Sequence, residues 1–102
     1  MVRKIDIEAN RLHNREDMSN YLSELFSFPD YFGNNLDAAF DLLLEVAEDT
    51  ILYFDKENML EMLNEDYSYK SLRMLVEACN NNPHLKFKLR KIRQNETNEN
   101  VR

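Results

Sequence analysis

Polar and apolar positions along the chain divide it into seven elements. Arg3 to Ala9 alternates, with Ile5 and Ile7 on one side and Lys4, Asp6 and Glu8 on the other, which is the period of a short strand. Asn10 to His13 connects it to a helix. Asn14 is a good N-cap with Asp17 three residues on, close to a capping box. Met18, Tyr21, Leu22, Leu25 and Phe26 then form one amphipathic stripe. That helix stops before Phe28-Pro29, because a residue ahead of proline is pushed out of the α region. A second helical pattern covers Leu36 to Asp49, with Leu36, Phe40, Leu43, Leu44 and Ala47 sharing a face.

Thr50 to Phe54 is a continuous apolar, β-prone run, which predicts a strand buried on both faces. Asp55 or Asn58 opens a third helix with Met59, Leu60 and Leu63 turned inward, and Asn64 to Ser68 breaks it. Tyr69 to Asn80 carries Leu72, Leu75, Val76, Ala78 and Cys79 at helical spacing and ends at Asn80-Asn81-Asn82-Pro83. Leu85 to Leu89 alternates strictly and predicts a half-exposed strand whose outer lysines discourage edge pairing. From Arg93 the chain is polar apart from Val101, and a frayed tail is expected. The order β-α-α-β-α-α-β requires helical crossovers between strands. It predicts an α/β fold, a three-stranded parallel β-sheet packed with four helices. Residues 1–92 form one domain and residues 93–102 the tail, with no repeat and no linker between domains.

The densest cluster of signals lies between Phe28 and Leu43. Gly33, the only glycine, suits a sharp turn with positive φ. Asn34 and Asn35 are both cap residues, and Asn35 is favoured because Asp37 then falls in the first turn, where a negative charge complements the helix dipole. Asp37, Asp41, Glu45 and Glu48 make an acidic stripe, and no lysine or arginine stands in that helix. Like charges at i, i+4 cost ~0.2–0.5 kcal/mol per pair. Either the stripe is an ordinary solvated face, or it is an acidic surface shaped for a basic partner. Helix physics alone favours the solvated face.

Composition narrows the class. Hydrophobic residues make up 43% and charged residues 31%, which fits a folded chain and excludes a disordered one. The single Cys79 excludes an intrachain disulfide and points to a reducing compartment. No apolar run approaches the ~20 residues of a membrane span, and the opening Met-Val-Arg-Lys-Ile-Asp lacks the apolar segment of a signal peptide. A cytoplasmic location is expected. The net charge of −6 disfavours direct nucleic-acid binding unless a basic patch is segregated, and lysines and arginines do gather between Lys86 and Arg93. The acidic remainder suits a basic protein partner.

The run Pro29-Asp30-Tyr31-Phe32-Gly33-Asn34-Asn35-Leu36-Asp37-Ala38-Ala39-Phe40-Asp41-Leu42-Leu43 resembles the signature of the barstar family, small bacterial inhibitors of secreted ribonucleases. That signature reads Pro, any, Tyr, aromatic, Gly, any, Asn, Leu, Asp, Ala, any, aromatic, Asp, any, Leu. The resemblance implies the same α/β architecture and an inhibitor, not an enzyme, with no cofactor and no metal. It implies a partner-binding surface of Tyr31, Phe32, Gly33, Asn35, Asp37, Ala38, Phe40, Asp41, Glu45 and Glu77. Within it, Asp41 would take the place of an RNA phosphate in the nuclease cleft, with Asp37 as a second acid. A barnase-like ribonuclease is the implied partner, in a 1:1 complex with a chain that is monomeric when free. The chain departs from the pattern at Phe32, where a second tyrosine is usual, at Phe40, where tryptophan is common, and at Asn81, near a second acidic position.

Two other functions use the same residues. The scaffold could serve as an immunity protein against another toxin, a DNase or a non-nuclease effector. Asp37, Asp41 and Glu45 could also hold Mg²⁺ or form an acid–base pair in a small enzyme. Both histidines lie elsewhere in the sequence, and no glycine-rich phosphate loop accompanies the carboxylates.

Overall fold

The computed structural model describes residues 1–91. The expected domain limit at residue 92 and the tail over residues 93–102 lie outside the described residues. The elements are β1 (Arg3–Asp6), a short 3₁₀ turn (Ala9–Arg11), α1 (Arg15–Phe26), α2 (Leu36–Leu43), β2 (Thr50–Asp55), α3 (Lys56–Leu63), α4 (Asp66–Asn81) and β3 (Leu85–Arg90). The three strands form one parallel sheet in the order β1-β2-β3. The predicted architecture and element order are therefore observed.

Both crossovers in such a sheet, if right-handed, carry their helix pairs to the same side. Burial agrees. Thr50, Leu52 and Phe54 of the central strand are fully enclosed together with Ile5 and Leu85. The opposite side carries Ile51 and Tyr53, half-buried, flanked by exposed Lys4, Lys86 and Lys88. The expectation that β2 is buried on both faces is thus corrected: one face is only half covered. On that face Arg90 stacks its guanidinium 3.5 Å from the centre of the Tyr53 ring and pairs with Asp6 at 3.4 Å.

Local capping chemistry explains where most helices begin. Asn14 accepts the Asp17 N–H at 2.8 Å and so caps α1. Ser27 ends that helix in the left-handed region, φ 54°, one residue before Phe28. Asp55 accepts the Asn58 N–H at 2.8 Å and caps α3, which decides between the two expected starting residues. Glu65 accepts the Ser68 N–H at 2.9 Å. This cap starts α4 at Asp66, three residues earlier than Tyr69, and shortens the expected break to Asn64 and Glu65. In α3 the buried residue is Met62, with Met59 half-buried, whereas Leu60 and Leu63 are each 50% exposed. The inward assignment of Leu60 and Leu63 is corrected. Four apolar residues in five positions cover two faces of a short helix, and periodicity alone does not choose between them.

The Glu65 carboxyl is held below the ordinary carboxylate range, chiefly because it accepts the backbone N–H of Ser68. A lowered folded-state pKa stabilises above the unfolded value and is lost as pH falls through the folded one. A carboxyl-carbon NMR titration should place the Glu65 midpoint below that of a free glutamate. The stabilising contribution should fade as pH drops from about 4.3, and Glu65→Gln should remove that pH-dependent part. A Glu65 midpoint at or above the free value would show that the carboxylate does not cap α4.

Candidate partner-binding site

The loop between α1 and α2 is folded onto its own aromatics. Phe32 N–H donates to the Pro29 carbonyl at 2.9 Å, closing a turn over Pro29–Phe32. Phe32 is only 8% exposed and meets Phe28 edge-on at 4.8 Å, while Phe28 stacks on Phe26 at 6.1 Å. The Phe32 side chain therefore anchors the loop. Tyr31, its neighbour, is 78% exposed. A large exposed aromatic on an anchored turn is a typical recognition group.

The positive φ expected of Gly33 is absent, and Asn34 adopts the left-handed conformation instead, with φ 57°. Asparagine tolerates this region better than most residues. Its carbonyl is held by Arg15 Nε at 2.6 Å, from the first turn of α1. A Cβ on Gly33 would meet Asn35 Nδ2 at 3.4 Å and Ala38 Cβ at 3.5 Å, which is near ordinary contact. Asn35 caps α2 as expected, accepting the Ala38 N–H at 2.7 Å.

The α2 helix ends at Leu43 and does not continue to Asp49. Glu45 and Val46 N–H groups donate to Leu42 and Leu43, a tightening of the last turn. A distant side chain caps this end. Asn82, just past α4, donates from Nδ2 to the carbonyls of Leu43 and Val46 at 2.9 and 3.0 Å and accepts the His84 N–H at 2.9 Å. Leu44 and Ala47, expected on the core face, are exposed, and Ala39 and Leu43 are the buried residues. The acidic stripe is corrected accordingly. Asp37 and Asp41 stand on the helix, and Glu45 and Glu48 lie in the turn beyond it, all exposed. Among the described residues, no hydrogen bond or ion pair reaches the carboxylates of Asp37, Asp41 or Glu45.

A groove between α2 and α4 is lined by Leu36, Asp37, Phe40, Lys70, Arg73, Met74 and Glu77. The fold thus brings Glu77 to the same groove as Asp37 and Phe40, with Ala38 half-buried behind the N-cap. Asn81 turns its amide back to the Glu77 carbonyl at 2.8 Å. Sequence reasoning missed three residues here. Asn82 was hidden in an asparagine run that reads only as a helix end. Lys70 and Arg73 were hidden because they belong to a different helix from the acidic stripe. Among the described residues, no group of three or more histidine, cysteine, aspartate or glutamate side chains could hold a metal ion. Cys79 lies half-buried on α4, and burial pushes its thiol up to about 11.

Two variants test this geometry. Asn82→Ala removes the amide partner of the Val46 carbonyl and of the His84 N–H and leaves the Leu43 carbonyl with the Val46 N–H alone, and urea unfolding should show a loss of roughly 1–3 kcal/mol. Undiminished stability would mean that water replaces the amide without cost. Gly33→Ala should melt within about 0.5 kcal/mol of the parent, as for a surface change without strain. A clear drop in melting temperature would reveal a strained turn.

The sequence model of one protein family, described as barstar (barnase inhibitor), matches residues 2–93 of the chain. No curated protein matches it.

Proposed function

The chain belongs to the barstar family, and from that membership we propose that it inhibits a basic ribonuclease by covering the nuclease cleft with α2 and the preceding loop. The observation that carries this reading is the pair of carboxylates on α2. Asp37 and Asp41 are exposed, one turn apart, and without a partner inside the described fold. Like charges so placed weaken the helix slightly, and although the helix N-terminus favours Asp37, no cation among the described residues offsets the repulsion by pairing with either carboxylate. A cationic cleft would.

In this reading Asp41 enters the phosphate position of the cleft and accepts charge-assisted hydrogen bonds from arginine, lysine or histidine. Asp37 supplies a second acid beside it. Tyr31 lies against the rim, and Gly33 and Asn35 let the backbone of the loop come close. Phe40, half-buried, is an apolar contact in the base of the groove. The inhibitor blocks catalysis by occupancy and contributes no reacting group. A 1:1 complex, formed by a chain that is monomeric when free and that protects the producing cell from its own secreted nuclease, completes the proposal.

The test is titration of barnase, used as the probe ribonuclease, with the purified chain. Stoichiometric loss of RNA cleavage is expected. Asp41→Ala should weaken binding by ~3–5 kcal/mol, because the cations it faces would be left buried and unpaired. Glu48→Ala should cost far less. Equal effects of the two would refute the assignment of Asp41.

Association should exceed the ~10⁵–10⁶ M⁻¹s⁻¹ expected without steering. It should slow as salt shrinks the Debye length from about 30 Å at 0.01 M to about 10 Å at 0.1 M. Dissociation should respond less, because the contacting charges are shielded from solvent. Stopped-flow traces across a salt series distinguish the cases, and a salt-independent association rate would leave the acidic face without a role in capture.

A further inference from the structure

The α4 side of the groove carries two cations, Lys70 and Arg73, beside one acid, Glu77. Lys70 and Arg73 are exposed and line the groove with Asp37 and Glu77. Among the described residues, neither cation makes a hydrogen bond or an ion pair. Each has a carboxylate at helical i, i+4 spacing, Asp66 for Lys70 and Glu77 for Arg73, yet neither pair closes. Even if closed in solution, an exposed pair of this kind is worth only ~0.3–0.5 kcal/mol. It would yield readily to a stronger partner.

The base of the groove is apolar. Leu36 and Phe40 are half-buried, and Met74 is 8% exposed. A protein that packs on this base excludes water from the charges at its edges. A desolvated cation without a counter-charge is costly, whereas one hydrogen-bonded to a carboxylate is not. A nuclease that offers only cations to this site would bury Lys70 and Arg73 beside like charge, with Asp37 and Glu77 of the same groove left to serve both sets of cations.

We propose that Lys70 and Arg73 form an acceptor for an acidic side chain of the partner, so that the ribonuclease recognised here presents an aspartate or glutamate beside its cationic cleft. This rests on the inhibitor reading and deepens it. Asp37 and Asp41 answer the partner's cations, and Lys70 and Arg73 answer its carboxylate. The two α4 cations are then specificity-determining residues. They favour nucleases with a mixed rim and disfavour those with a uniformly basic one. They also fix the orientation of docking, since reversing the partner end for end would set like charges together at both edges.

The experiment turns on the sign of one change. Replacing both cations by glutamate makes an acidic inhibitor more acidic. If the α4 edge met only basic groups, binding to a basic nuclease would tighten. The proposal requires the reverse. With barnase as the probe, Lys70→Glu together with Arg73→Glu should raise the dissociation constant by about tenfold or more, the loss of at least one shielded ion pair. The weakening should appear in the dissociation rate, while long-range attraction leaves association as fast or faster. The double substitution Lys70→Met and Arg73→Met should weaken binding less. Both sites are exposed, so thermal melts of all variants should match the parent. An unchanged or tighter complex for the glutamate variant overturns the proposal. Asp41→Ala, measured beside it, separates the two readings. If Asp41→Ala weakens binding and the α4 variant does not, only the acceptor on α4 is lost. If Asp41→Ala has no effect, the inhibitor reading itself falls.

Discussion

The amide of Asn82 is the contact on which the geometry of the site depends. Its Nδ2 reaches two carbonyls at the end of α2, and its Oδ1 takes the His84 N–H at the entry to β3. One side chain, itself buried, thus ties together the end of α2, the end of α4 and the start of the last strand. Because α2 and α4 are the two walls of the groove, their separation follows from this contact. It also caps α2, donating to the Leu43 carbonyl where the helix ends and to the Val46 carbonyl in the turn that leads to β2 at Thr50.

What could be read in the sequence was what is decided locally. The caps at Asn14 and Asn35, the proline stop after α1 and the alternation of β3 involve residues within a few positions of one another. The parallel sheet and element order followed from them. Errors arose where a distant residue decides. No periodicity within Leu36 to Asp49 announces that the helix ends at Leu43, where the distant Asn82 donates to its last carbonyl. Gly33 has the intrinsic freedom to turn the loop, yet Asn34 takes the left-handed position, its carbonyl held by Arg15 from α1. In α3 the apolar residues outnumber the positions a short helix can bury, so only packing chose Met62 over Leu60 and Leu63. The acids of the site, Asp37, Asp41 and Glu77, were legible through the resemblance to the barstar signature, because periodicity alone favoured a solvated face. The basic half, on α4, needed the fold to bring it near.

The site is also where the chain departs from its own local rules. Several polar side chains elsewhere serve as caps or pair with neighbours, as Arg11 does with Glu24 at 3.0 Å and His13 with Glu61 at 2.6 Å. Around the groove, Asp37, Lys70, Arg73 and Glu77 make no such pair among the described residues. Internal consistency is the usual mark of a well-specified sequence, and a concentrated exception is expected at a functional surface.

The uncovered face of the sheet gives the molecule a second electrical property. Lys4, Lys86 and Lys88 lie on that face, while Asp37 and Asp41 belong to the helical layer on the other side of the sheet. The three lysines are therefore set on the opposite side of the sheet from the α2 carboxylates. Such a body has a dipole as well as a net charge. In the field of a cationic protein it feels a torque that turns α2 forward and the lysines away. Encounters would begin already aligned, so that the search for the right contact is one of position more than of orientation.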